Sequence, residues 1–235
     1  MNNDQIWLHT LCKKNGIIIT DIQLDRLSSF RDLLLEWNKK INLVSRKNED
    51  NLWKGHIALS LSLLFTISFQ NGSKILDLGT GGGFPGIPLA IMLPECTFVL
   101  LDSTQKKITA VQSMADALTL TNVRTIWGRA EEVGKRSGFH SSFDAVVARS
   151  VSNLTNLLDW GLPFLKSGNG KNTATEKVFI TRPSLITFKG TEIEQEEILA
   201  RQKHPEIHLH HQPLLFKGSE EFERLEKKIT IATRL

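Results

Sequence analysis

The apolar positions of this 235-residue chain change their period near residue 70. Before that point apolar residues recur at helical spacing, and Thr20 or Asp21 can cap the clearest helix. One face of that helix would carry Ile22, Leu24, Leu27, Phe30, Leu33, Leu34 and Trp37. Further helices are predicted at 3–14 and around 50–69. We therefore expect residues 1–70 to form a helical extension, with a domain of another kind at 71–235.

From Lys74 onward, short apolar runs alternate with helix-like segments, which is the pattern of βαβ units around a parallel sheet. The pattern predicts strands at 74–79, 97–102, 123–127, 143–149 and 185–190, and helices at 86–93, 105–120 and 153–166. An acidic helix near 191–200 and strand-like runs at 206–216 and 226–234 follow. The polar, glycine-bearing stretch 166–177 is predicted to be a loop. The fold class is therefore α/β.

The segment KILDLGTGGGFPG, residues 74–86, predicts a strand, a tight glycine loop and the start of a helix. Glycine is required where the backbone takes a positive φ or where a ligand lies against it, and a helix start offers unpaired N–H groups. Asp102 ends the next apolar run, where it could accept hydrogen bonds from ribose hydroxyls. Loop and acid together predict a nucleoside site.

Two nucleoside ligands fit this pattern. Gly81, Gly83 and Gly86 satisfy G-x-G-x-x-G with Asp102 about 20 residues later, which is also the dinucleotide fingerprint. Asp77 precedes the first glycine and would repel a pyrophosphate, but it would attract the sulfonium and ammonium groups of S-adenosylmethionine. The D-x-G-x-G order therefore favours S-adenosylmethionine over NAD.

Arg149 ends the buried run AVVA of the fourth predicted strand, at the edge of the sheet where ligands of α/β proteins bind. A buried arginine paired with a carboxylate is one interpretation, and a site residue is the other, which we favour. In the loop RAEE after the third strand, Ala130 and Glu131 could lie beneath an adenine ring.

Lysines cluster in two places. The first cluster is Lys39, Lys40 and Lys47 in WNKKINLVSRKNED, and it predicts either a solvated face or a surface that contacts phosphates. The second is Lys106 and Lys107, in the first turn of a predicted helix, where cations are unfavourable unless an anion lies nearby. A simple surface pair is the alternative.

Composition excludes several classes of protein. There is no apolar run of about 18 residues and the polar start MNNDQ is not a signal peptide, so we expect a cytoplasmic protein. The two cysteines, Cys12 and Cys96, form no C-x-x-C pair. The histidines of HLHH would alternate between two faces of a strand, so we expect no metal site. The net charge of +4 fits a polyanionic partner.

Several segments, in order, resemble one known family. They are WNKKINLV, GHIALSL, ILDLGTGGGFPGIPLAIMLPE, TFVLLDSTQKK, the RAEE loop, VVARSV and FKG, and together they span nearly the whole chain. This chain resembles the bacterial small-subunit ribosomal RNA guanine-N7 methyltransferases, also called RsmG or glucose-inhibited division protein B. The resemblance implies a class I S-adenosylmethionine-dependent methyltransferase fold, which is Rossmann-like with a seven-stranded, mostly parallel sheet whose last strand is antiparallel.

The resemblance also implies the reaction, which is methylation at N7 of a guanine in the decoding-region loop of 16S ribosomal RNA. The partner would be this RNA or the small ribosomal subunit, and we expect a monomer. A methyltransferase of the same fold acting on a small molecule or protein, and a non-catalytic RNA-binding module, are the alternatives.

Residue roles follow from the resemblance and from the patterns above. Catalytic roles are predicted for Arg149, Asn38 and Lys106. Cofactor binding is predicted for Asp77, Gly79, Gly81, Phe84, Asp102, Ser103, Ala130, Glu131 and Arg149. RNA binding is predicted for Lys39, Lys40, Lys47, His56, Lys107 and Lys189. The chain departs from the family in a longer 171–182 segment and in having Lys227 and Lys228 where arginine or histidine is common.

Overall fold

The structure is a computed structural model that describes residues 1–168, 173–174, 178–190, 193–223 and 227–234. It begins with two helices, α1 (Asn3–Lys14) and α2 (Asp21–Asn38). Each begins with a capping box, in which the cap side chain and the side chain three residues later each accept from the other's backbone N–H. Thr20 is the cap of α2, and it is one of the two capping residues that the sequence predicts.

The segment from 46 to 69 is more varied than the single helix predicted for it. It contains a 3-10 helix (Arg46–Asn51), a π-helix (Leu52–Ala58), and two short helices, α3 (Leu59–Leu61) and α4 (Leu63–Thr66). Strand β1 (Ile67–Phe69) follows and pairs in parallel with a strand from residues 178–180. The helix predicted around 50–69 is therefore wrong in its last residues, because Ile67–Phe69 form a ladder with a distant part of the chain.

A seven-stranded sheet forms the centre of the molecule. Its strands are β2 (Lys74–Leu78), β3 (Thr97–Asp102), β4 (Val123–Trp127), β5 (Ala145–Arg149), β8 (Ser184–Gly190), β9 (Ile207–Pro213) and β10 (Lys227–Arg234). Their spatial order is β4-β3-β2-β5-β8-β10-β9. The last strand, β10, is antiparallel to both of its neighbours. The predicted sheet is confirmed.

A second, small sheet joins β1 to β7 (Val178–Ile180) and β6 (Thr173–Ala174). Part of the loop predicted at 166–177 lies outside the described residues, and Thr173–Ala174 pair antiparallel with β7.

The remaining helices connect the strands. They are α5 (Gly86–Met92), α6 (Gln105–Ala117), α7 (Ala130–Val133), α8 (Leu154–Gly161), α9 (Glu194–Lys203) and α10 (Glu220–Glu223), with a 3-10 turn at Leu162–Phe164. The helix predicted at 153–166 thus ends at Gly161. A Cβ at Gly161 would overlap the side chain of Leu185, so α8 packs closely against the sheet there.

The sheet has a hydrophobic layer on each face, because alternate residues of a strand point to opposite sides. In β3, Phe98 and Leu100 face the layer that contains the buried side of α2, whereas Val99 and Leu101 face the layer that contains α8. The N-terminal helices therefore cover one face of the sheet and share its core. No helix in the described ranges is long and apolar enough to cross a membrane.

Candidate active site

A cavity of about 640 Å³ opens at the carboxyl edge of the sheet, where β2, β3 and β5 end. This volume suits a ligand of nucleoside size. The glycine loop forms its floor, Asp102 to Thr104 and Lys107 form one side, and Arg149 to Val151 form the other. The N-terminal extension supplies a further wall through Leu43, Val44, Ser45, Asn51, Gly55, His56 and Leu59.

Glycine is required at two positions of the glycine loop. Gly79 has φ +72°, and a Cβ there would lie 2.7 Å from Cγ2 of Val151. Gly86 begins α5, and a Cβ there would lie 2.5 Å from Oδ2 of Asp77. A side chain at either position would displace the loop, so the backbone itself forms the surface of the cavity.

Asp77 lies beneath this loop and is fully buried. Its Oδ2 accepts from Thr80 Oγ1 at 2.6 Å and from Gly86 N–H at 2.8 Å, and its Oδ1 has no partner among the described residues. Burial raises its pKa to about 7, although the bonds from Thr80 and Gly86 and the charge of Arg149 oppose that rise. Asp77 is not among the residues that line the cavity, so its predicted part in cofactor binding would act through its charge.

Asp102 faces the cavity from the end of β3. Its Oδ2 accepts from the N–H of Gly81 at 3.0 Å and its Oδ1 from the N–H of Thr104 at 2.8 Å. Each carboxylate oxygen has a second lone pair, so the carboxylate can also accept from two hydroxyls of a ribose. Asp102 thereby connects the glycine loop to the start of α6.

A smaller recess of about 80 Å³ adjoins the main cavity and shares Gly79, Asp102, Ser103 and Val151 with it. Ala130 and Glu131 line this recess together with Gly128, Arg129 and Trp160. The two residues predicted to lie beneath an adenine ring are thus next to the predicted ribose site.

Arg149 lies across the cavity from Asp102, with its guanidinium 4.9 Å from the centre of the Phe84 ring. Its Nη1 donates to the carbonyl of Gly55 at 3.3 Å and its Nη2 contacts His56 Nδ1 at 2.8 Å. Within the described part of the chain it forms no ion pair, so the alternative of an arginine paired with a carboxylate is not what is found. Burial lowers its pKa to about 10 against the opposing influence of Asp77, and it stays charged at neutral pH.

His56 is held in its neutral form. Burial first and the charge of Arg149 second lower its pKa to about 4, and its ring packs 5.0 Å from that of Phe84. Nδ1 therefore accepts from Arg149. The π-helix places Gly55 and His56 side by side on the cavity wall, and such helices are frequent at functional sites. His56, predicted to bind RNA, is therefore a neutral polar group on the cavity wall that contacts Arg149.

Asn38 does not reach the cavity. Its side-chain amide donates to the carbonyl of Val44 and to Glu49, and its oxygen accepts from the N–H groups of Leu43 and Val44. These four bonds use the whole capacity of the amide. The structure therefore corrects the expected catalytic contact: Asn38 holds the segment 43–45, which forms part of the cavity wall.

The predicted lysines are placed differently from one another. Lys189 is buried, and its Nζ donates to Ser152 O at 2.7 Å and to Glu196 at 2.8 Å, so it is not available to RNA as predicted. Lys107 lines the cavity, whereas the exposed Lys106 does not. Lys39 and Lys40 are exposed after α2, and the side chain of Lys47 lies outside the described residues.

Other residues of the site had not been assigned from the sequence. Val151 contacts the glycine loop, and Ser150 lines the cavity with a φ of +57°, a strained conformation for a residue with a side chain. Lys227, at the start of β10, also lines the cavity, and burial and then the charges of Arg149 and Lys189 lower its pKa. The resemblance drew attention to Lys227 as a departure from the family, but its place two strands from Arg149 is visible only in the fold.

Two of the four histidines near the C-terminus, His204 and His211, pair with carboxylates. His204 contacts Asp159 at 3.0 Å, and His211 contacts Glu197 at 2.9 Å and Thr230 at 3.0 Å. Among the described residues, no group of three or more histidine, cysteine, aspartate or glutamate side chains could hold a metal.

The fold is that of the class I methyltransferases. Solved structures with the same fold include a putative O-methyltransferase from Klebsiella pneumoniae, at a TM-score of 0.56 and 14% identity over 97% of this chain and 96% of that one. Another is M. jannaschii TYW2 in complex with AdoMet, at a TM-score of 0.52 and 14% identity over 77% of each chain.

The chain belongs to the rRNA small subunit methyltransferase G family, whose sequence profile matches residues 23–176. Curated proteins called ribosomal RNA small subunit methyltransferase G are similar to it. The one from Chlorobium chlorochromatii is 42% identical over 84% of this chain and 77% of its own length. The one from Flavobacterium johnsoniae is 36% identical over 85% of this chain and 95% of its own length. The predicted family, fold class and S-adenosylmethionine-dependent methyltransferase activity are confirmed.

Proposed function

We propose that this protein transfers a methyl group from S-adenosylmethionine to N7 of a guanine in the decoding-region loop of 16S ribosomal RNA. The observation that carries this proposal is a nucleoside-sized cavity, built on Asp102 and the glycine loop, that faces an arginine with no ion pair to any described carboxylate. Family membership supplies the substrate class.

The residues of the cavity fit the methyl donor. Asp102 and Ser103 would hold its ribose, Ala130 and Glu131 its adenine, and the backbone from Gly79 to Gly81 its amino-acid part. When bound, S-adenosylmethionine supplies an electrophilic methyl group on a positively charged sulfur. The ionised form of Asp77, beneath the loop, favours a cation in the cavity through its field.

The reaction requires no general base, because N7 of guanine carries a free lone pair and no proton. The described side chains of the cavity agree with this requirement. His56 is neutral, but its Nδ1 is occupied by Arg149, and the carboxylate of Asp102 is assigned to the ribose hydroxyls. The protein would therefore act by orienting the two reactants and excluding water. Arg149 would hold the guanine O6 or a neighbouring phosphate.

The substrate base would be unpaired, because a loop base can be splayed into a cavity whereas a stacked one cannot. Lys39, Lys40 and Lys47 would contact phosphates from the N-terminal side. Neutralising each should reduce the log–log dependence of RNA affinity on salt by about one. An unchanged salt dependence of RNA affinity in the triple alanine variant would show that these lysines form only a solvated surface. We also propose that the protein is a monomer and, since its substrate is ribosomal, cytoplasmic.

The decisive experiment uses methyl-labelled S-adenosylmethionine with small ribosomal subunits and, separately, with free 16S RNA. Mass spectrometry of nuclease digests should place the label at N7 of one guanine in the decoding region. An Asp102→Ala variant, which lacks the ribose acceptor, is the control and should bind the methyl donor weakly. Label in protein, or at another atom of the RNA, would contradict the proposal.

A further inference from the structure

Trp127 is a tryptophan at the surface. It ends β4, an edge strand of the large sheet, and 54% of its surface is exposed, whereas the other four tryptophans are buried or half-buried. A single exposed apolar side chain is ordinary on a protein surface. The orientation of the Trp127 ring and the residues around it distinguish Trp127 from such a side chain.

The indole is fixed in place beside the active site. Its Nε1–H donates to the backbone carbonyl of Ser103 at 3.1 Å, and Ser103 lines the cavity next to Asp102. Thr125 lies on the same face of β4, and its hydroxyl donates to Gln112 of α6 at 2.7 Å. The indole is therefore on the α6 side of the sheet, with its polar atom satisfied and much of its apolar surface open.

The same side of the sheet carries positive charge. Lys106 and Lys107 occupy the first turn of α6, which contains no acidic residue, and neither forms an ion pair with a described carboxylate. The exposed Glu131 and Glu132 belong to α7, whose Val133 packs in the hydrophobic layer on the other face. Lys107 lines the cavity itself, and α6 begins two residues after Ser103, whose carbonyl the indole contacts.

An aromatic side chain beside unpaired cations is the combination that binds single-stranded nucleic acid, since bases stack on the ring and phosphates contact the cations. We propose that Trp127 is a stacking platform for an unpaired base next to the target guanine, and that Lys106 and Lys107 bind the phosphates between them. This inference rests on the proposed function. It assigns one surface of the enzyme to the RNA strand that enters the cavity.

Steady-state methylation of small ribosomal subunits by Trp127→Leu and Trp127→Phe tests the proposal. Leucine keeps apolar surface but no ring, and stacking of one base is worth about 1–3 kcal/mol, so we expect KM for RNA to rise roughly 5- to 150-fold. Phenylalanine should recover part of the loss. The affinity for S-adenosylmethionine, measured by calorimetry, should change less than about twofold, which also shows that the variants fold. Phe179→Leu, at an exposed aromatic of the small sheet, is the matched control and should leave KM unchanged.

An unchanged KM for RNA in Trp127→Leu would overturn the inference. An equal loss of affinity for S-adenosylmethionine would also overturn it, because the indole would then act by supporting Ser103 in the cofactor site. Failure of the wild-type protein to methylate the subunit would refute the proposed function itself. Binding of a fluorescent single-stranded oligoribonucleotide still tests the platform in that case, with weaker binding by Trp127→Leu expected and equal binding refuting it.

Discussion

Replacing Arg149 with methionine should slow methyl transfer strongly and leave the stability of the fold nearly unchanged. The pKa of Arg149 falls from 12.5 to about 10 on burial, so the fold disfavours the charged group by about 3 kcal/mol, at 1.36 kcal/mol for each tenfold change in acidity. Its contacts with Gly55 and His56 contribute about 1.5 kcal/mol each and its cation–π contact with Phe84 about 1 kcal/mol. Methionine loses these contacts, removes the burial cost and keeps packing against Phe84. The free energy of unfolding should change by no more than about 1 kcal/mol.

Methyl transfer should respond much more strongly. One charged donor aimed at the reacting group typically contributes about 10²–10³ to the rate in a water-excluded site. Single-turnover methylation with saturating S-adenosylmethionine and RNA should therefore be slower by at least about 100-fold in Arg149→Met. Urea denaturation of the same preparation gives the unfolding free energy. Arg124→Met, at an exposed arginine of β4, is the matched control and should leave both measurements near the wild-type values.

Two results would refute this reasoning. A wild-type rate in Arg149→Met would remove Arg149 from the chemistry. A loss of several kcal/mol of stability together with a loss of bound S-adenosylmethionine would show that its contacts with Gly55 and His56 build the cavity wall and that the charge itself is dispensable.

Three further predictions concern the loop and its supports. Gly79→Ala should weaken binding of S-adenosylmethionine by at least tenfold in calorimetry, since its Cβ would overlap Val151. Gly81→Ala is the control, because Gly81 also has a positive φ but a Cβ there would have its nearest atom at 3.9 Å, and this variant should lose less affinity. Equal losses of affinity would contradict the steric argument. Asp77 has a pKa raised to about 7, so S-adenosylmethionine should bind more tightly as pH rises through 7, and the affinity for S-adenosylhomocysteine, which lacks the sulfonium, should change less with pH. The raised pKa also means that the ionised carboxylate weakens the fold, so the unfolding free energy relative to Asp77→Asn should fall between pH 4 and 7. Parallel pH profiles of the two proteins would exclude this titration. Asn38→Ala should lower the melting temperature and the affinity for S-adenosylmethionine together, because four hydrogen bonds to segment 43–45 and Glu49 are lost. Asn38→Asp should not recover this loss, because its second oxygen would face the carbonyl of Val44 and the carboxylate of Glu49; lost turnover at unchanged affinity and melting temperature would instead favour the catalytic role.

The sequence by itself determined the elements that local patterns encode. The strands at 97–102 and 123–127 and the helix at 3–14 have the predicted bounds, because each combines a clear hydrophobic period with a cap or turn at its ends. The glycine loop and Asp102 were also found in this way. Their chemistry depends on glycine and on a carboxylate at the end of a strand, and both are readable without knowledge of the surroundings.

Only the tertiary structure decided what each polar side chain does. Asn38 and Lys189 resemble site residues in the sequence, yet their hydrogen bonds are satisfied by Val44, Ser152 and other groups inside the protein. Lys227 reaches the cavity because β10 lies between β8 and β9, a position that no local pattern specifies. The pKa values of Asp77 and His56 likewise depend on burial by distant segments. Burial and hydrogen-bond partners are set by residues far apart in the chain, so they emerge only when the fold brings those residues together.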